Sequence, residues 1–411
     1  MIFEEPIGII ELGNEKIDCL IFIINKNSET EILSTSTVRT EGIHNGIVIN
    51  LIKATNVIRT CISLAEKKAE VTLKKINVIL EQPDFLCTKF SKAKRIDGSK
   101  IHKDDIDFLL REAKKQVTYN DEKHSIIHIF NHNYVVDGKT FNEEPIGVYA
   151  KNLSHEMSFI TMPKNNIKNI VQSFIDCDIE VERFISCTFA TAANLLNNND
   201  LKSGSILIDL GFEKTCLGLF KNLALVNSIT FPIGTNNIIK DISKVCSLSI
   251  KESVDISNQI DFSFKNNNKL FDNNSYLKDS YFSDSGFRKI SKSLIQNVVK
   301  SRIDEILEKI NKQVELTGFK KDKGAKLFIV GEGSDLSNLI NYCSEFFGSE
   351  VIKLEQNNKT KIKQDSKERF TACLGALKII RDGWETEAIP SKANKNQQKN
   401  GFFTRIFGIR S

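Results

Sequence analysis

A short pattern that occurs twice constrains the fold of this chain more than any other feature. Between Gly8 and Ile23 the chain reads GIIELGNEKIDCLIFI, and between Ser205 and Phe220 it reads SILIDLGFEKTCLGLF. Each copy has an apolar run, an acidic residue, a turn at glycine and a second apolar run, which predicts a β-hairpin. Two copies so far apart in one chain predict two lobes of the same design, each opening with this hairpin.

The two turns also suggest phosphate chemistry. Backbone N–H groups in a glycine turn can surround phosphate oxygens, and a carboxylate at the end of a strand can hold Mg²⁺ through water. A single copy is equally well explained as a hairpin with a polar turn, and that alternative stays open. Two matching copies favour a phosphate-binding cleft. Its candidate residues are Glu11, Gly13, Asn14 and Lys16 in the first copy and Asp209, Gly211 and Thr215 in the second, with Glu11 and Asp209 as candidate Mg²⁺ ligands.

A third glycine turn follows the apolar run Lys326–Val330, and a helix is predicted to begin at about Asp335. A strand, a glycine turn and a helix offer backbone N–H groups to the adenosine or the phosphates of a nucleotide. This turn adds Gly331 and Gly333 to the candidates, and the earlier turn at 231–234 adds Gly234. Such a turn by itself also fits an ordinary connection from a strand to a helix.

Composition narrows the functional class. A chain of 411 residues suggests two to three domains, and 40% apolar with 27% charged residues is usual for a globular protein. The net charge of +5 is not arranged as a basic stripe with interleaved aromatic residues, so nucleic acid is not an expected partner. The nine cysteines form no C-x-x-C pair, which argues against a zinc site. No window approaches the ~20 apolar residues of a membrane-spanning helix.

Residues 84–162 differ from their surroundings and predict a small α+β subdomain inserted into the first lobe. A helix is predicted over 104–117, with short strands at 126–130, 134–136 and 155–161. His124, His128 and His132 are spaced by four, as in a helical metal site, but the alternation around them predicts a strand. A strand would still place them on one face. We expect no metal site there, because the chain offers no cluster of carboxylates or cysteines nearby.

The second lobe contains a predicted helix that ends near Val245 and a long helical stretch over 288–316. Between them, residues 261–280 are rich in Asn, Lys, Asp and Ser, which predicts a long exposed excursion or a disordered loop. A closing helix is predicted over 369–382. A polar linker over 385–400 then leads to the apolar tail GFFTRIFGIRS.

The two acidic-glycine hairpins, the glycine turn at 331–333 and the two-lobed repeat resemble the actin, Hsp70 and sugar-kinase superfamily. Within it, three stretches resemble FtsA, a family of bacterial cell-division proteins. They are GIHNGIVIN at 42–50, HSIIHIFNHNYVVDGKTFNEEPIGVYAKNLSHEMSFIT at 124–161, and the tail. The resemblance covers nearly the whole chain, and the stretch at 124–161 and the tail are the specific parts.

The resemblance implies an α/β, actin-like two-lobed fold with ribonuclease-H-like duplicated lobes, an inserted FtsA-type subdomain 1C and a C-terminal amphipathic helix. The implied divisions are 1–83 (first part of subdomain 1A), 84–162 (1C), 163–200 (1A continued), 201–236 (first part of 2A), 237–324 (2B), 325–384 (2A continued and a closing helix of 1A), 385–400 (linker) and 401–411 (membrane-targeting helix).

The resemblance also implies a function. FtsA-like proteins bind ATP with Mg²⁺ in the cleft, polymerise and tether FtsZ filaments to the cytoplasmic face of the inner membrane at the division site. They receive the C-terminal peptide of FtsZ on subdomain 2B, and subdomain 1C is expected to meet other divisome proteins. Here Arg288, Lys292 and Arg302 are the candidates for FtsZ binding, because the predicted helix places them near a common face. A solvated basic face is the alternative.

The second phosphate loop departs from the family pattern Asp-x-Gly-Gly-Gly-Thr-Thr-Asp, because Phe212, Glu213 and Lys214 stand in it. Side chains at 212 and 213 would obstruct the approach of a phosphate to the backbone. We therefore predict weak or absent ATP binding and negligible turnover. A small-molecule kinase or phosphatase of the same superfamily is the rival class, and it needs an intact loop and a general base. A pilus-assembly adaptor is a third possibility, and it would not be expected to need the tail.

The tail is predicted to lie as an in-plane helix on anionic inner-membrane lipid. Helical projection places its apolar side chains within one arc of a little under half the circumference, with Arg405 at the edge, where it can reach lipid phosphates. Docking of the tail on the protein's own core is the alternative. The candidate membrane-contacting residues are Phe402, Phe403, Arg405, Ile406, Phe407 and Ile409.

Overall fold

The structure, a computed structural model of the chain, describes residues 5–25, 29–263, 270–272, 274–319, 325–354 and 370–382. Two compact units divide the chain. The first comprises Met1–Ser203, Phe220–Ile229 and Gln356–Ser411, and the second comprises Gly204–Leu219 and Thr230–Glu355.

The first unit is built on a five-stranded sheet flanked by helices. Its elements before the insert are β1 (Ile7–Leu12), β2 (Lys16–Ile24), β3 (Thr30–Arg39), β4 (Ile43–His44), β5 (Ile47–Val48), α1 (Leu51–Ala69) and β6 (Lys75–Leu80). The insert contributes β7 (Leu86–Arg95), α2 (Lys103–Asn120), β8 (His124–Val136), β9 (Lys139–Phe141) and β10 (Asn152–Pro163). After it come α3 (Lys164–Ile175), β11 (Glu180–Ser186), α4 (Cys187–Leu195) and α5 (Asn198–Ser203).

The main sheet of this unit has the order β11-β6-β1-β2-β3. β2 pairs antiparallel with both β1 and β3, whereas β6 runs parallel to both β1 and β11. Apolar runs in β1, β2 and β6 are almost wholly buried, as expected for central strands covered on both faces. Helix α1 is capped by Asn50, whose Oδ1 accepts from Lys53 N at 3.0 Å. The carboxyl ends of β1, β6 and β11 therefore share one edge of the sheet.

The insert is a subdomain with its own four-stranded sheet of order β7-β10-β8-β9. Helix α2 packs on this sheet through Ile106, Leu109, Ala113 and Val117, which are all buried. The predicted helix over 104–117 is thus confirmed. The two predicted strands at 126–130 and 134–136 are wrong as separate elements, because β8 is continuous over thirteen residues. Long-range pairing with β10 holds the polar stretch between them in the sheet.

The three spaced histidines do not share one environment. The pairing of β8 with β10 shifts register twice, and each shift breaks the alternation from which a single face was expected. His128 Nε2 accepts from Ser186 N at 2.9 Å, His132 Nε2 lies 2.9 Å from Ser158 Oγ, and His124 pairs with Asp121. Among the described residues, no group of three His, Cys, Asp or Glu side chains could hold a metal ion.

The insert should lose stability on mild acidification. Burial lowers the pKa of His128 to about 3 and the pKa of His132 and of His155 to about 4, assisted by nearby positive charges. These rings are neutral when folded and gain protons more readily when unfolded. Their contribution to stability is therefore present above the ordinary histidine pKa and is lost as the pH falls from about 6.5 towards 4.

We expect each buried histidine to cost about 2 kcal/mol of unfolding free energy at a pH of about 5. Thermal unfolding followed at several pH values measures this loss. His155 is stacked on Tyr134 with ring centroids 4.3 Å apart, so His155→Phe keeps the packing and removes one titrating group. That variant should lose less stability on acidification than wild type, and an equal loss would contradict the assignment.

The second unit repeats the design of the first. Its elements are β12 (Ser205–Leu210), β13 (Thr215–Lys221), β14 (Ala224–Phe231), α6 (Thr235–Cys246), α7 (Ile250–Ser257), α8 (Lys292–Leu316), β15 (Lys326–Val330), α9 (Leu339–Phe347) and β16 (Val351–Lys353), after which α10 (Thr371–Asp382) belongs to the first unit. The sheet order is β14-β13-β12-β15-β16, and β15 runs parallel to β12 and β16. Residues 220–229, which comprise the end of β13, the turn after it and most of β14, belong to the first unit.

The two main sheets therefore have the same strand order, which confirms the duplication inferred from the repeated hairpin. If the five strands of each sheet are numbered in the order in which they occur along the chain, both sheets have the spatial order third, second, first, fourth, fifth. The equivalent glycines also behave alike. A Cβ on Gly13 would lie 2.5 Å from Lys16 O, and one on Gly211 would lie 3.0 Å from Lys214 O. Each glycine thus packs against the carbonyl three residues on.

Two predictions for the second unit are wrong in detail. A 3-10 turn over Glu332–Asp335 follows β15, so the next α-helix begins at Leu339 and not at Asp335. The stretch 261–280 is not a wholly exposed excursion, because Leu270, Phe271 and Leu277 are buried. These scattered apolar residues carry no local periodicity, so their burial could not be read from the sequence.

Within the part of the chain that the structure describes, no helix combines the length and the apolar character needed to cross a membrane.

Candidate functional site

The first phosphate-loop candidate lies at the carboxyl end of β1. Glu11 is the penultimate residue of β1. Gly13 and Asn14 form the turn, and Lys16 begins β2. The side chain of Asn14 is used inside the protein. Its Nδ2 donates to Asn45 Oδ1 at 2.9 Å, and its Oδ1 accepts from Asn45 N at 2.7 Å. The amide of Asn14 is therefore committed to the β4–β5 hairpin, while Lys16 is exposed.

The same edge of the sheet holds a buried carboxylate that sequence reasoning did not select. Glu81 follows β6 and is only 1% exposed. Its Oε2 accepts from Ser186 Oγ at 2.8 Å and from Thr188 N at 3.0 Å. Because Thr188 lies in the first turn of α4, this carboxylate neutralises the positive end of that helix. Its position directly after a buried parallel strand was the available sequence signal.

Glu11 also lies close to the start of α4, because Cys187 Sγ is 3.6 Å from Glu11 Oε1. This edge of the first unit thus carries two carboxylates, Glu11 and Glu81.

The predicted residues of the second unit are brought together at the ends of β12 and β15. A Cβ on Gly331 would lie 2.4 Å from Asp209 Oδ1, so that carboxylate rests against the Gly331 backbone. A Cβ on Gly333 would lie 2.4 Å from Leu210 Cγ, and one on Gly234 would lie 2.5 Å from Gly211 O. Close backbone packing requires glycine at 234 and 331, whereas at 333 a Cβ would meet the side chains of Leu210 and Thr235. Since the packing is internal, these contacts do not by themselves require a ligand.

Thr215, the remaining candidate of the second loop, is fully buried, and its hydroxyl donates to Ile233 O at 2.7 Å. It therefore faces the neighbouring strand end and not an open loop. Glu213 adds a carboxylate to the same loop, and it accepts a hydrogen bond from Asn236 Nδ2 at 2.7 Å. The residues of this loop do not fit a phosphate group. The predicted ATP and Mg²⁺ site remains a prediction.

The three candidates for FtsZ binding do not lie on one helix, and that part of the prediction is wrong. Arg288 precedes α8, which begins at Lys292. The Arg288 side chain caps the end of α6, donating to Cys246 O at 3.1 Å and to Ser247 O. Helix periodicity could not reveal this contact, because the carbonyl groups that Arg288 meets lie far away in the sequence.

Arg302 is on α8, but its charge is balanced. Its Nε is 2.6 Å from Asp241 Oδ2 and its Nη2 is 3.1 Å from Asp241 Oδ1, and it also pairs with Glu305. These carboxylates hold the pKa of Arg302 above its ordinary value. Lys292 lies with Nζ 6.0 Å from the centroid of the Phe271 ring. The three residues therefore do not form a continuous basic face.

A groove between α6 and α8 is what the structure offers instead. It is lined by Asp241 and Val245 of α6 and by Val298, Ser301, Arg302 and Glu305 of α8. Val245 is 52% exposed although it is apolar, and Leu294, one turn before Val298, is 40% exposed. The groove thus combines two apolar side chains, Val245 and Val298, with polar and charged ones that include the Arg302 ion pairs. The tail candidates at 402–409 lie outside the described residues.

Comparison with known families identifies the insert. A family model described as the SHS2 domain inserted in FTSA matches residues 86–161. This range agrees with the subdomain formed by β7, α2, β8, β9 and β10.

Similar sequences extend over most of the chain. The cell division protein FtsA of Agrobacterium fabrum is 21% identical over 81% of this chain and 77% of its own length. FtsA of Buchnera aphidicola subsp. Schizaphis graminum is 24% identical over 83% and 82%. FtsA of Buchnera aphidicola subsp. Acyrthosiphon pisum is 22% identical and aligns over 97% of this chain and 94% of its own.

Solved structures give the fold. A structure of the PilM-PilN type IV pilus biogenesis complex matches with a TM-score of 0.60 and 10% identity over 91% of this chain and 98% of its own. MreB 5 of Spiroplasma citri bound to AMPPNP matches with a TM-score of 0.51 and 11% identity over 91% and 96%. At this identity the matches show an actin-like fold and nothing about activity.

The fold is actin-like, residues 86–161 match the SHS2 domain inserted in FTSA, and the aligned relatives span 81% to 97% of the sequence. Over most of its length this chain is therefore similar to FtsA cell-division proteins, and its insert matches the SHS2 domain found in them.

Proposed function

We propose that this protein tethers FtsZ filaments to the cytoplasmic face of the inner membrane at the division site and helps to assemble the divisome. The observation that carries the proposal is the inserted subdomain at 86–161, which matches the SHS2 domain inserted in FTSA. Polymerisation of the protein and contacts of the insert with other divisome proteins belong to the same proposal.

The groove between α6 and α8 supports the choice of the FtsZ peptide as a ligand. Val245 and Leu294 are exposed and Val298 is half-buried, so the three supply an apolar strip on two adjacent helices. Lys292 lies in the first turn of α8 and Arg302 within the groove, so both flank the strip. A short peptide with apolar and acidic residues can bury its apolar side chains on the strip and place a carboxylate near Lys292, whereas Arg302 is already paired with Asp241 and Glu305.

Placing a charge on the apolar strip should weaken this binding. Leu294→Glu or Val298→Glu would bury a carboxylate against the apolar part of the peptide, and we expect an affinity loss of about tenfold or more. Fluorescence polarisation with a labelled C-terminal FtsZ peptide measures it.

Leu316→Glu is the matched control, because Leu316 is an exposed leucine at the far end of the same helix. It should bind like wild type. Equal binding by all three variants would remove the groove from the proposal. Arg288 is unsuitable for this test, because its replacement would release the end of α6.

The full tethering function is tested by co-sedimentation with FtsZ on anionic lipid vesicles. The complete chain should bring FtsZ down with the vesicles, and a chain that lacks residues 401–411 should not. The proposal includes negligible nucleotide turnover, supported by the side chains of Phe212 and Glu213 in the second loop. Rapid phosphate release from Mg-ATP would favour the rival kinase or phosphatase class instead.

A further inference from the structure

The N-terminus of α6 is closed by the protein's own atoms. Thr235 N donates to Gly211 O at 3.1 Å, Asn236 N donates to Phe212 O at 2.8 Å, and Asn237 N donates to Gly234 O at 3.1 Å. Gly234 N donates to Asn237 Oδ1 at 3.1 Å. A helix N-terminus can bind phosphate only through N–H groups that lack partners. These four donors already have partners.

The loop backbone also fills the space in front of this helix end. A Cβ on Gly234 would lie only 2.3 Å from Phe212 O, so the loop carbonyls rest directly on the helix cap. No phosphate group can enter between them without moving the loop.

A carboxylate of the chain lies beside this end of the helix. Glu213 Oε1 accepts from Asn236 Nδ2 at 2.7 Å, and Glu213 Oε2 lies 3.8 Å from Lys240 Nζ. Asn236 is in the first turn of α6, and Lys240 is one turn further along. A negative charge in the first turn of a helix is stabilised by the helix dipole, so Glu213 is well placed to satisfy it.

The same helix forms one wall of the peptide groove. Asp241 and Val245 project from the middle and end of α6. The ion pair between Asp241 and Arg302 fixes α6 to α8, and Arg288 caps its C-terminal end. The helix is thus held at its N-terminus by the loop at 211–213, along its side by α8, and at its C-terminus by Arg288.

From these contacts we infer that Glu213 acts as a built-in anion in place of a nucleotide phosphate, so that the groove between α6 and α8 is formed without nucleotide. This inference rests on the proposed function, because it concerns the groove assigned there to the FtsZ peptide. Its consequence is that peptide binding and thermal stability are independent of Mg-ATP.

The experiment uses the full chain and the labelled FtsZ peptide, with and without millimolar Mg-ATP. Wild type should bind the peptide with a dissociation constant that changes by less than about twofold, and its thermal midpoint should not move. A rise in the midpoint with Mg-ATP, or a larger change in affinity, would overturn the inference.

Two kinds of variant sharpen the test. Glu213→Gln keeps the size and removes the charge, so it should unfold at a lower temperature than Glu308→Gln, a matched change of an exposed glutamate on α8. A combined Phe212→Gly, Glu213→Gly and Lys214→Gly variant frees the loop and should gain a rise in thermal midpoint with Mg-ATP.

A wrong assignment of the groove and a wrong role for Glu213 would give different results. If the peptide does not bind under any condition, the assignment of the groove fails, while the thermal comparison with Mg-ATP still decides the role of Glu213. If Glu213→Gln unfolds like Glu308→Gln, or if the thermal midpoint of wild type rises with Mg-ATP, the built-in anion is wrong even where the peptide binds.

Discussion

Replacing Phe403 or Phe407 by glutamate should abolish flotation of this protein with anionic liposomes. Both side chains belong to the apolar arc of the predicted C-terminal helix, which carries three Phe and two Ile in a segment of eleven residues. Insertion of such an arc depends on buried apolar area and on attraction between basic residues and anionic lipid. A carboxylate in the middle of the arc opposes both.

The short tail makes this effect large. A segment of this length is below the ~12–15 residues at which isolated helices become stable, so its folding is coupled to the bilayer. Weak binding by one copy is strengthened when many copies assemble, and a small loss per copy therefore multiplies. We expect no detectable flotation of either variant.

Thr404→Glu is the matched control, because it adds the same charge on the opposite side of the projected helix. It should weaken binding only modestly through repulsion from anionic lipid. Equal flotation of all variants, or no flotation of wild type, would remove the membrane tether from the proposed function. The second result is also what a pilus-assembly adaptor predicts.

Gly375→Ala should destabilise the first unit by about 3 kcal/mol or more. A Cβ at this position would lie 1.7 Å from Ala190 O and 2.5 Å from Ala190 C. Helices α4 and α10 therefore cross with their backbones in contact, and a methyl group can be accommodated only if the two helices separate. The neighbouring residues of α10 are nearly all buried, so the separation would expose apolar surface.

Thermal unfolding of Gly375→Ala measures this loss. Gly286→Ala is the control, because no atom lies within 4 Å of a Cβ built there. A compensating Ala190→Gly should not restore stability, since the clash is with a backbone carbonyl. A thermal midpoint equal to that of wild type would show that the helices are not packed this closely.

The sequence by itself determined the architecture. The repeated hairpins predicted two units of one design, and both main sheets have the same strand order. The change in pattern at 84–162 predicted the inserted subdomain, whose observed elements span residues 86–163. These features are encoded locally, because hydrophobic periodicity, caps and turn glycines depend on residues close together in the chain. The FtsA resemblance rested on the same local stretches.

The assignment of individual side chains needed the tertiary structure. Thr215 was a reasonable phosphate ligand in the sequence, but its hydroxyl is committed to Ile233 O. Arg288 and Arg302 were read as a basic face, but one caps α6 and the other pairs with Asp241. Each of these partners lies many residues away, and no periodic pattern specifies which polar group a side chain will meet.

For Glu213, the sequence predicted one part of its role and the tertiary structure decided the other. Sequence alone showed that a carboxylate replaces a glycine in the second loop, which predicted an obstacle to ATP. Only the fold showed that this carboxylate lies over the first turn of α6 beside Asn236, where it becomes a favourable partner of the helix. A residue type can be read from the chain, but whether its charge repels a ligand or replaces one depends on the groups that folding brings beside it.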